Sequence, residues 1–344
     1  MKAPTSICIL RLSAIGDVCH TLAVVQAIQR QYPQAEICWI IGKTEASLLQ
    51  GVPNIEFIPY DKKSGWKGIL TLWQQLRYKR FDFLLNLQTA FRASVLSLGI
   101  KAKTKIGFNR DRAREGQWLF THQKVEQTDS PHVLDGQMMF AKAIGVQDLT
   151  PNWNLPISEQ DLAYSANFID SQRKNVVIAP CSSKKSKDWQ AENYAEIARW
   201  LTAQNVNVVI CGSPSDYEMQ TAQRIQQLAP ECVNAAGKTS LKQLAGLIQQ
   251  ADLVLSSDSG PAHIATTQHT PVIGLYAVHN PQRTGPYQDL DKVVSVYDEI
   301  ILAQFGKPWQ KLPWATKAKG DNLMQRISVE RVKQKIVESL DVNL

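Results

Sequence analysis

Long hydrophobic runs are missing from this chain. No segment approaches the roughly 18 uninterrupted apolar residues of a membrane span, and Met1-Lys2 leads almost directly into an apolar strand, leaving no secretory leader to remove. A cytoplasmic location is the expectation. The six cysteines, Cys8, Cys19, Cys38, Cys181, Cys211 and Cys232, form no CxxC pair and lie mostly in or beside apolar strands. That usage argues against a disulfide framework or a zinc site and suits buried thiols in a reducing compartment. No GxGxxG follows the first strand and no Walker sequence occurs, so nicotinamide binding and ATP hydrolysis lose their usual support. Short repeats and low-complexity tracts are absent too.

What is present is an ordinary globular composition, 44% hydrophobic and 20% charged, in a chain long enough for two domains. It is organised around residues 7–30, ICILRLSAIGDVCHTLAVVQAIQR. Residues 7–11 read as a buried strand of which only the last residue is polar, and a turn of small residues follows at 13–17. From 21 to 30, Leu22, Val25 and Ile28 recur at helical spacing. Strand, tight turn and helix open a doubly wound α/β domain, where ligands bind just outside the carboxyl ends of the strands. Asp17 in that turn reads either as a helix N-cap or as a general base at the mouth of a cleft. His20 reads either as a partly buried helix histidine or as a site residue.

Further strands are expected at 36–41 and 82–87, with a helix over 67–80 that places Leu70, Trp73 and Leu76 on one face. Residues 134–144 read as a helix ending at Gly145. Residues 147–175 hold prolines and polar residues and mark a domain junction. A second β/α series then begins, with strands at 176–180, 206–211, 252–257 and 271–276 and helices near 191–203, 215–228 and 240–250. The expected architecture is α/β, two doubly wound parallel-sheet domains facing a cleft: 1–157, a linker at 158–175, 176–325, and a final helix within 326–344.

The second series carries three candidate sites. The loop Pro180-Cys181-Ser182-Ser183-Lys184-Lys185-Ser186-Lys187 gathers hydroxyls and ammonium groups after a strand, a phosphate site or an exposed basic loop. Glu218, on the helix after Gly212-Ser213-Pro214, is a surface acid or a partner for ribose hydroxyls. The most specific stretch is Ser256-Ser257-Asp258-Ser259-Gly260-Pro261-Ala262-His263. A helix beginning near Pro261 leaves the N–H groups of Ser259 and Gly260 free to bind phosphate, unless Ser257 or Asp258 only caps it.

The formal charge of +7 is uneven. Residues 1–157 carry 19 Lys and Arg against 12 Asp and Glu, whereas 158–344 carry 19 against 19. The densest run, KAKTKIGFNRDRAR at 101–114, is a solvated face or a field for an anionic partner.

Taken in order, Ser13-x-x-Gly16-Asp17-x-x-His20-Thr21-Leu22, the loop 182–187 with Trp189, Gly212-x-Pro214-x-x-x-Glu218, Gly237-Lys238-Thr239-Ser240-Leu241 and Asp258-Ser259-Gly260-Pro261-Ala262-His263 resemble the lipopolysaccharide heptosyltransferases, glycosyltransferase family 9. The likeness covers nearly the whole chain. It implies a GT-B fold of two Rossmann-like domains, with acceptor on the first, nucleotide-sugar donor on the second, and a final helix that crosses back to the first. It also implies heptose transfer from ADP-heptose to the Kdo or inner core of lipopolysaccharide, with inversion and with neither metal nor cofactor. Transfer onto the Kdo of Kdo-lipid A, the heptosyltransferase I reaction, is favoured.

By the resemblance, Asp17 is the base, Ser182 and Ser183 the phosphate-contacting hydroxyls, and Lys187 the cation facing the diphosphate. Glu218 holds the ribose, Asp258 lies near the donor sugar, and Ser259, Gly260 and His263 form the diphosphate turn and its support. Ala23 stands where many members have proline, and the serine pair where threonine is frequent; neither change removes a hydrogen-bond donor. Closure of the cleft is expected to assemble the site. On the acceptor side, His20, Lys101, Lys103, Lys105, Arg110, Arg112 and Arg114 are candidates to meet Kdo carboxylates, lipid A phosphates or the anionic inner face of the inner membrane. No nucleic acid is implied. Trp309 and Trp314 belong to a packed loop or to an interfacial contact. The rival readings are a 2-epimerase or a transferase with another donor on the same scaffold, and a non-catalytic nucleotide-sugar or lipid-binding protein.

Overall fold

Ile7, Cys8, Ile9 and Leu10 are fully buried, as a strand covered on both faces by helices must be. They form β1 (Ser6–Leu10) at the centre of the first sheet in a computed structural model that describes residues 3–340. After β1 come α1 (Ile15–Gln31), β2 (Glu36–Gly42), α2 (Lys43–Leu49), β3 (Ile55–Tyr60), α3 (Gly65–Gln75), β4 (Phe81–Asn86), α4 (Phe91–Leu98), β5 (Ala102–Gly107), β6 (Gln123–Lys124) and α5 (Val133–Ala143). The strand order is β3-β2-β1-β4-β5-β6, all parallel. The order reverses between β1 and β4, and such a switch point is where doubly wound sheets bind ligands.

The chain divides into two compact units, Met1–Pro156 and Ile157–Leu344. The second opens with α6 (Glu159–Ser165), in the stretch read as a linker; α6 packs on the later helix at 241–249, where the Ser165 hydroxyl donates to Gln243 O at 2.6 Å. There follow β7 (Asn175–Ala179), α7 (Ala191–Ala203), β8 (Asn207–Ile210), α8 (Asp216–Leu228), β9 (Val233–Asn234), α9 (Leu241–Gln249), β10 (Leu253–Ser257), α10 (Gly260–Gln268), β11 (Val272–Tyr276), α11 (Pro281–Thr284), β12 (Val294–Ser295), α12 (Tyr297–Phe305) and α13 (Val329–Leu340). Its sheet runs β12-β11-β10-β7-β8-β9, again all parallel. This is the first unit's order repeated, with its switch point between β7 and β10. Among the described residues no helix is long and apolar enough to cross a membrane.

Three local expectations change. Of the expected face of α3, Leu76 is buried just past its end and Trp73 packs half-buried on the core, but Leu70 is exposed and Ile69 and Leu72 are buried instead. β5 lies inside the basic run, and its lysines alternate along the strand. The final helix, read as crossing back, puts Val332, Ile336 and Leu340 into the core of the second unit, packed on α7. Ile336 is fully buried there. Ile336→Ala should therefore cost about 2–5 kcal/mol, and urea denaturation should show the second unit unfolding at lower denaturant with the first unchanged.

Candidate active site

Arg11 follows β1 at the first switch point and is buried. Its guanidinium donates to Leu87 O, one residue past β4, and forms an ion pair with Asp17. Trp39, fully buried in β2, fixes the backbone there by donating its indole N–H to Arg11 O at 3.1 Å. Asp17 is the third residue of α1 rather than its N-cap, which is Ala14. Its Oδ2 reaches back to the Ala14 N–H at 3.4 Å. Gln88 Oε1 accepts from the N–H groups of Leu12 and Ser13 at 3.0 and 3.2 Å, so the turn is pinned from β4 as well. The Asp17 side chain stays 34% exposed. A carboxylate oriented from behind and open in front is able to take a proton from a bound hydroxyl.

His20 lies one turn further into the fold. It is buried edge-on against the His132 ring at 5.3 Å, and His132 caps α5 by accepting the Leu134 N–H at 3.0 Å. That burial is the one expected of a helix histidine.

Strand direction divides the basic run. Lys101 and Lys103 sit at the amino end of β5, where Lys101 donates to Arg77 O at 2.9 Å and Lys103 pairs with Asp82 at 2.7 Å. Lys105 donates to Ser97 O at 2.5 Å, and burial lowers its pKa from the ordinary lysine value. Asp17 lies at the opposite, carboxyl end of the same sheet. From Lys103 to Gly107 the strand rises about 13 Å, which removes Lys101 and Lys103 from the neighbourhood of Asp17. Arg112 is buried and donates to His132 O and Ser130 O at 2.9 and 2.5 Å, a brace for the loop. Arg110 and Arg114 stay exposed beyond the carboxyl end of β5.

The second switch point holds a buried charge cluster. Lys187, after β7, donates to Asp258 O and lies 3.2 Å from Asp258 Oδ2. The same carboxylate oxygen accepts the Nδ1–H of His279 at 2.6 Å. Burial pushes the Asp258 pKa up, but the His279 hydrogen bond and the charges of Lys187, His279 and His263 outweigh it and hold it at about 2. His263 is buried on α10. Ser259 is the N-cap of α10, yet its hydroxyl makes no capping bond and lies 3.1 Å from Ser256 Oγ. Neither Ser257 nor Asp258 is the cap, Gly260 is the first helical residue and Pro261 the second.

The loop 180–188 is shaped by Asp188, which accepts the Ser182 N–H at 2.7 Å and the Tyr217 hydroxyl at 2.9 Å. Burial raises the Asp188 pKa, with those bonds opposing it. The Ser182 hydroxyl is turned into the loop, donating to Lys184 O at 2.8 Å, whereas Ser183 is exposed. Glu218 accepts the N–H and hydroxyl of Ser213 at 2.7 and 2.6 Å and closes the turn after β8.

Sequence reasoning missed Arg11, His279 and a cationic contribution from far along the chain. The Ala318 N–H donates to Val278 O at 3.0 Å, and Arg283 stacks over Trp314 at 4.2 Å. Lys317 is thereby carried next to the loop after β11, where burial and then the charges of Lys184, Arg283 and Lys187 lower its pKa. Trp309 packs on the second core, so both tryptophans belong to a packed loop. The signal for Arg11 was its place as the one polar residue ending a buried strand. His279 and Lys317 follow no motif.

The Asp258 carboxylate titrates near 2 in the folded chain against an ordinary 3.8. Its contribution to stability is therefore complete above about pH 4 and lost as the pH falls toward 2. Asp258→Asn should cost about 2 kcal/mol near neutrality. Urea denaturation should show the gap to the natural chain narrowing as the solution is acidified through that window.

Residues 69–314 match glycosyltransferase family 9 (heptosyltransferase). The chain is 61% identical over 332 residues to the lipopolysaccharide core heptosyltransferase OpsX of Haemophilus influenzae, with 96% of each covered. The solved structure of ADP-heptose LPS heptosyltransferase II from Escherichia coli aligns with a TM-score of 0.73 at 22% identity, covering 97% of this chain and 98% of that one. A glycosyl transferase family 9 structure from Veillonella parvula aligns with 0.77 at 23%, covering 98% and 97%. Those two likenesses establish the GT-B fold. With the family matched over most of its length and the Haemophilus protein so similar throughout, this chain belongs to glycosyltransferase family 9, the heptosyltransferases, and is a glycosyltransferase.

Proposed function

We propose that this enzyme moves heptose from ADP-heptose to the Kdo-bearing inner core of lipopolysaccharide, favouring the first transfer onto Kdo-lipid A, in one inverting displacement that uses no metal. The observation that carries the reading is the division of charge between the two switch points. A partly exposed carboxylate, Asp17, is oriented by Arg11 at one; at the other Lys187 holds Asp258, just before an α10 N-terminus without a side-chain cap, and Lys317 lies within the field of Lys187, Lys184 and Arg283.

In the reaction the acceptor oxygen bonds to the anomeric carbon as the bond from that carbon to the diphosphate oxygen breaks. The hydroxyl proton passes to Asp17, and the electron pair leaves with ADP. Lys187 has three N–H donors and Asp258 engages it at two oxygens, O and Oδ2, which leaves one N–H for the diphosphate. Lys187, Lys317 and the α10 N–H groups stabilise the charge growing on the leaving group, the work a metal ion performs in other enzymes. Ser183 adds a hydroxyl, and Glu218 meets the ribose from the turn it closes. Arg110 and Arg114 face the anionic acceptor. The Haemophilus relative's name supports the core acceptor, and an acceptor carried on a lipid puts the enzyme at the inner face of the inner membrane.

Mass spectrometry of a reaction with purified protein, ADP-heptose, Kdo-lipid A and chelator should give a product heavier by one heptose. Asp17→Asn should lower the turnover about 10²–10⁴-fold; full activity in that variant would remove Asp17 as the base. Lys317→Ala should raise the KM for ADP-heptose with little change in the acceptor KM. Absence of product with donor still bound would move the acceptor to an already heptosylated core.

A further inference from the structure

Among the described residues, eleven large apolar side chains are exposed, and seven of them belong to the first unit. Four of the seven share one end of its sheet. Trp66 begins α3 after β3, Phe91 begins α4 after β4, and Trp118 and Leu119 lie in the loop after β5. They are 62%, 56%, 47% and 77% exposed. Because every strand is parallel, all four stand at the carboxyl end, the end that carries Asp17.

Contacts tie these loops into one surface. Phe91 packs edge-on against Phe120 at 6.1 Å, and its N–H donates to the Glu115 carboxylate at 2.6 Å. Arg92 donates to Lys62 O at 2.7 Å, joining the start of α4 to the loop before α3. A cavity of about 300 Å³ opens beside Trp118, lined also by Arg110 and Lys124. The segments 61–67, 87–92 and 108–120 together hold seven Lys and Arg against three Asp and Glu. Exposed tryptophan, phenylalanine and leucine among an excess of bases is the composition that seats at a lipid–water boundary, with aromatic rings at headgroup depth and cations on anionic headgroups. A second copy of the chain would set like charges against each other, whereas an anionic bilayer complements them.

We infer that the carboxyl-end face of the first unit, centred on Trp66, Phe91, Trp118 and Leu119, docks on the surface of an anionic lipid bilayer. The inference rests on the reading that the acceptor is a glycolipid, and it names the surface through which the enzyme reaches it. Asp17 is thereby turned toward the membrane that holds its substrate, and the lysines at the amino end of β5 are turned away.

The test is sedimentation of the full chain with vesicles of equal parts phosphatidylethanolamine and phosphatidylglycerol, against vesicles of phosphatidylcholine alone. The natural chain should pellet with the anionic vesicles and several-fold less with the neutral ones. Lys63→Glu with Lys67→Glu should weaken the binding roughly five-fold for each base lost, and Trp66→Ser with Leu119→Ser should weaken it at high salt as well, where the charges are screened. Both double variants should keep the natural turnover on a water-soluble Kdo acceptor lacking acyl chains, which also shows that they fold. Equal binding to both vesicle types, no binding to either, or variants that pellet like the natural chain would overturn the docking surface. So would self-association of the natural chain that the variants abolish. A natural chain that binds anionic vesicles but leaves the soluble acceptor unchanged would count against the proposed reaction while leaving this surface standing.

Discussion

Within each sheet every strand runs the same way, and the rest of the molecule's chemistry depends on that constraint. A parallel sheet sends all of its carboxyl ends to one edge, and a reversal of strand order opens a gap between two of those ends where no crossover helix covers the backbone. Arg11 and Leu87 flank one such gap, and Lys187 and Asp258 flank the other. The side chains that reach these gaps come from short turns at strand ends, so a fully buried apolar strand holds each of them in place.

The two gaps are built with different electrostatics. At the first, one buried guanidinium is held by a backbone oxygen and a carboxylate, which keeps a single acid oriented while its outer side faces water. At the second, the Asp258 carboxylate is paired with Lys187 and hydrogen-bonded by His279, and with Lys317, Lys184 and Arg283 close by the always-charged cations outnumber Asp258 and Asp188. A buried charge is tolerable only when paired, and here the pairing leaves a net positive site. In the proposed reaction the acid collects the proton and the positive site receives the departing diphosphate.

Much of this was legible in the chain. Residues 7–30 announced strand, turn and helix because the apolar run and the small-residue turn are local signals. The Asp258 stretch announced a helix start because Gly-Pro next to serine has few other uses. Long-range partners were not legible. Arg11 closes on Asp17 only because α1 turns back over the end of β1, His279 reaches Asp258 from the loop after the neighbouring strand β11, and Lys317 arrives through a hydrogen bond between Ala318 and Val278. The basic run misled for a related reason: adjacent in sequence, its charges are carried to opposite ends of the sheet once 102–107 is a strand. β3 and β5 escaped notice because Pro59 interrupts β3, an edge strand paired only with β2, and the alternating lysines hide β5, which pairs on both sides.

The central claim is a single displacement, with proton removal on one face of the sugar and departure of the diphosphate from the other. Its most direct test is the anomeric configuration of the transferred heptose, read by proton NMR of the product and compared with that of the donor. The account predicts the opposite configuration. The same configuration in product and donor would contradict it, since retention requires either a covalent intermediate or attack from the face the diphosphate leaves.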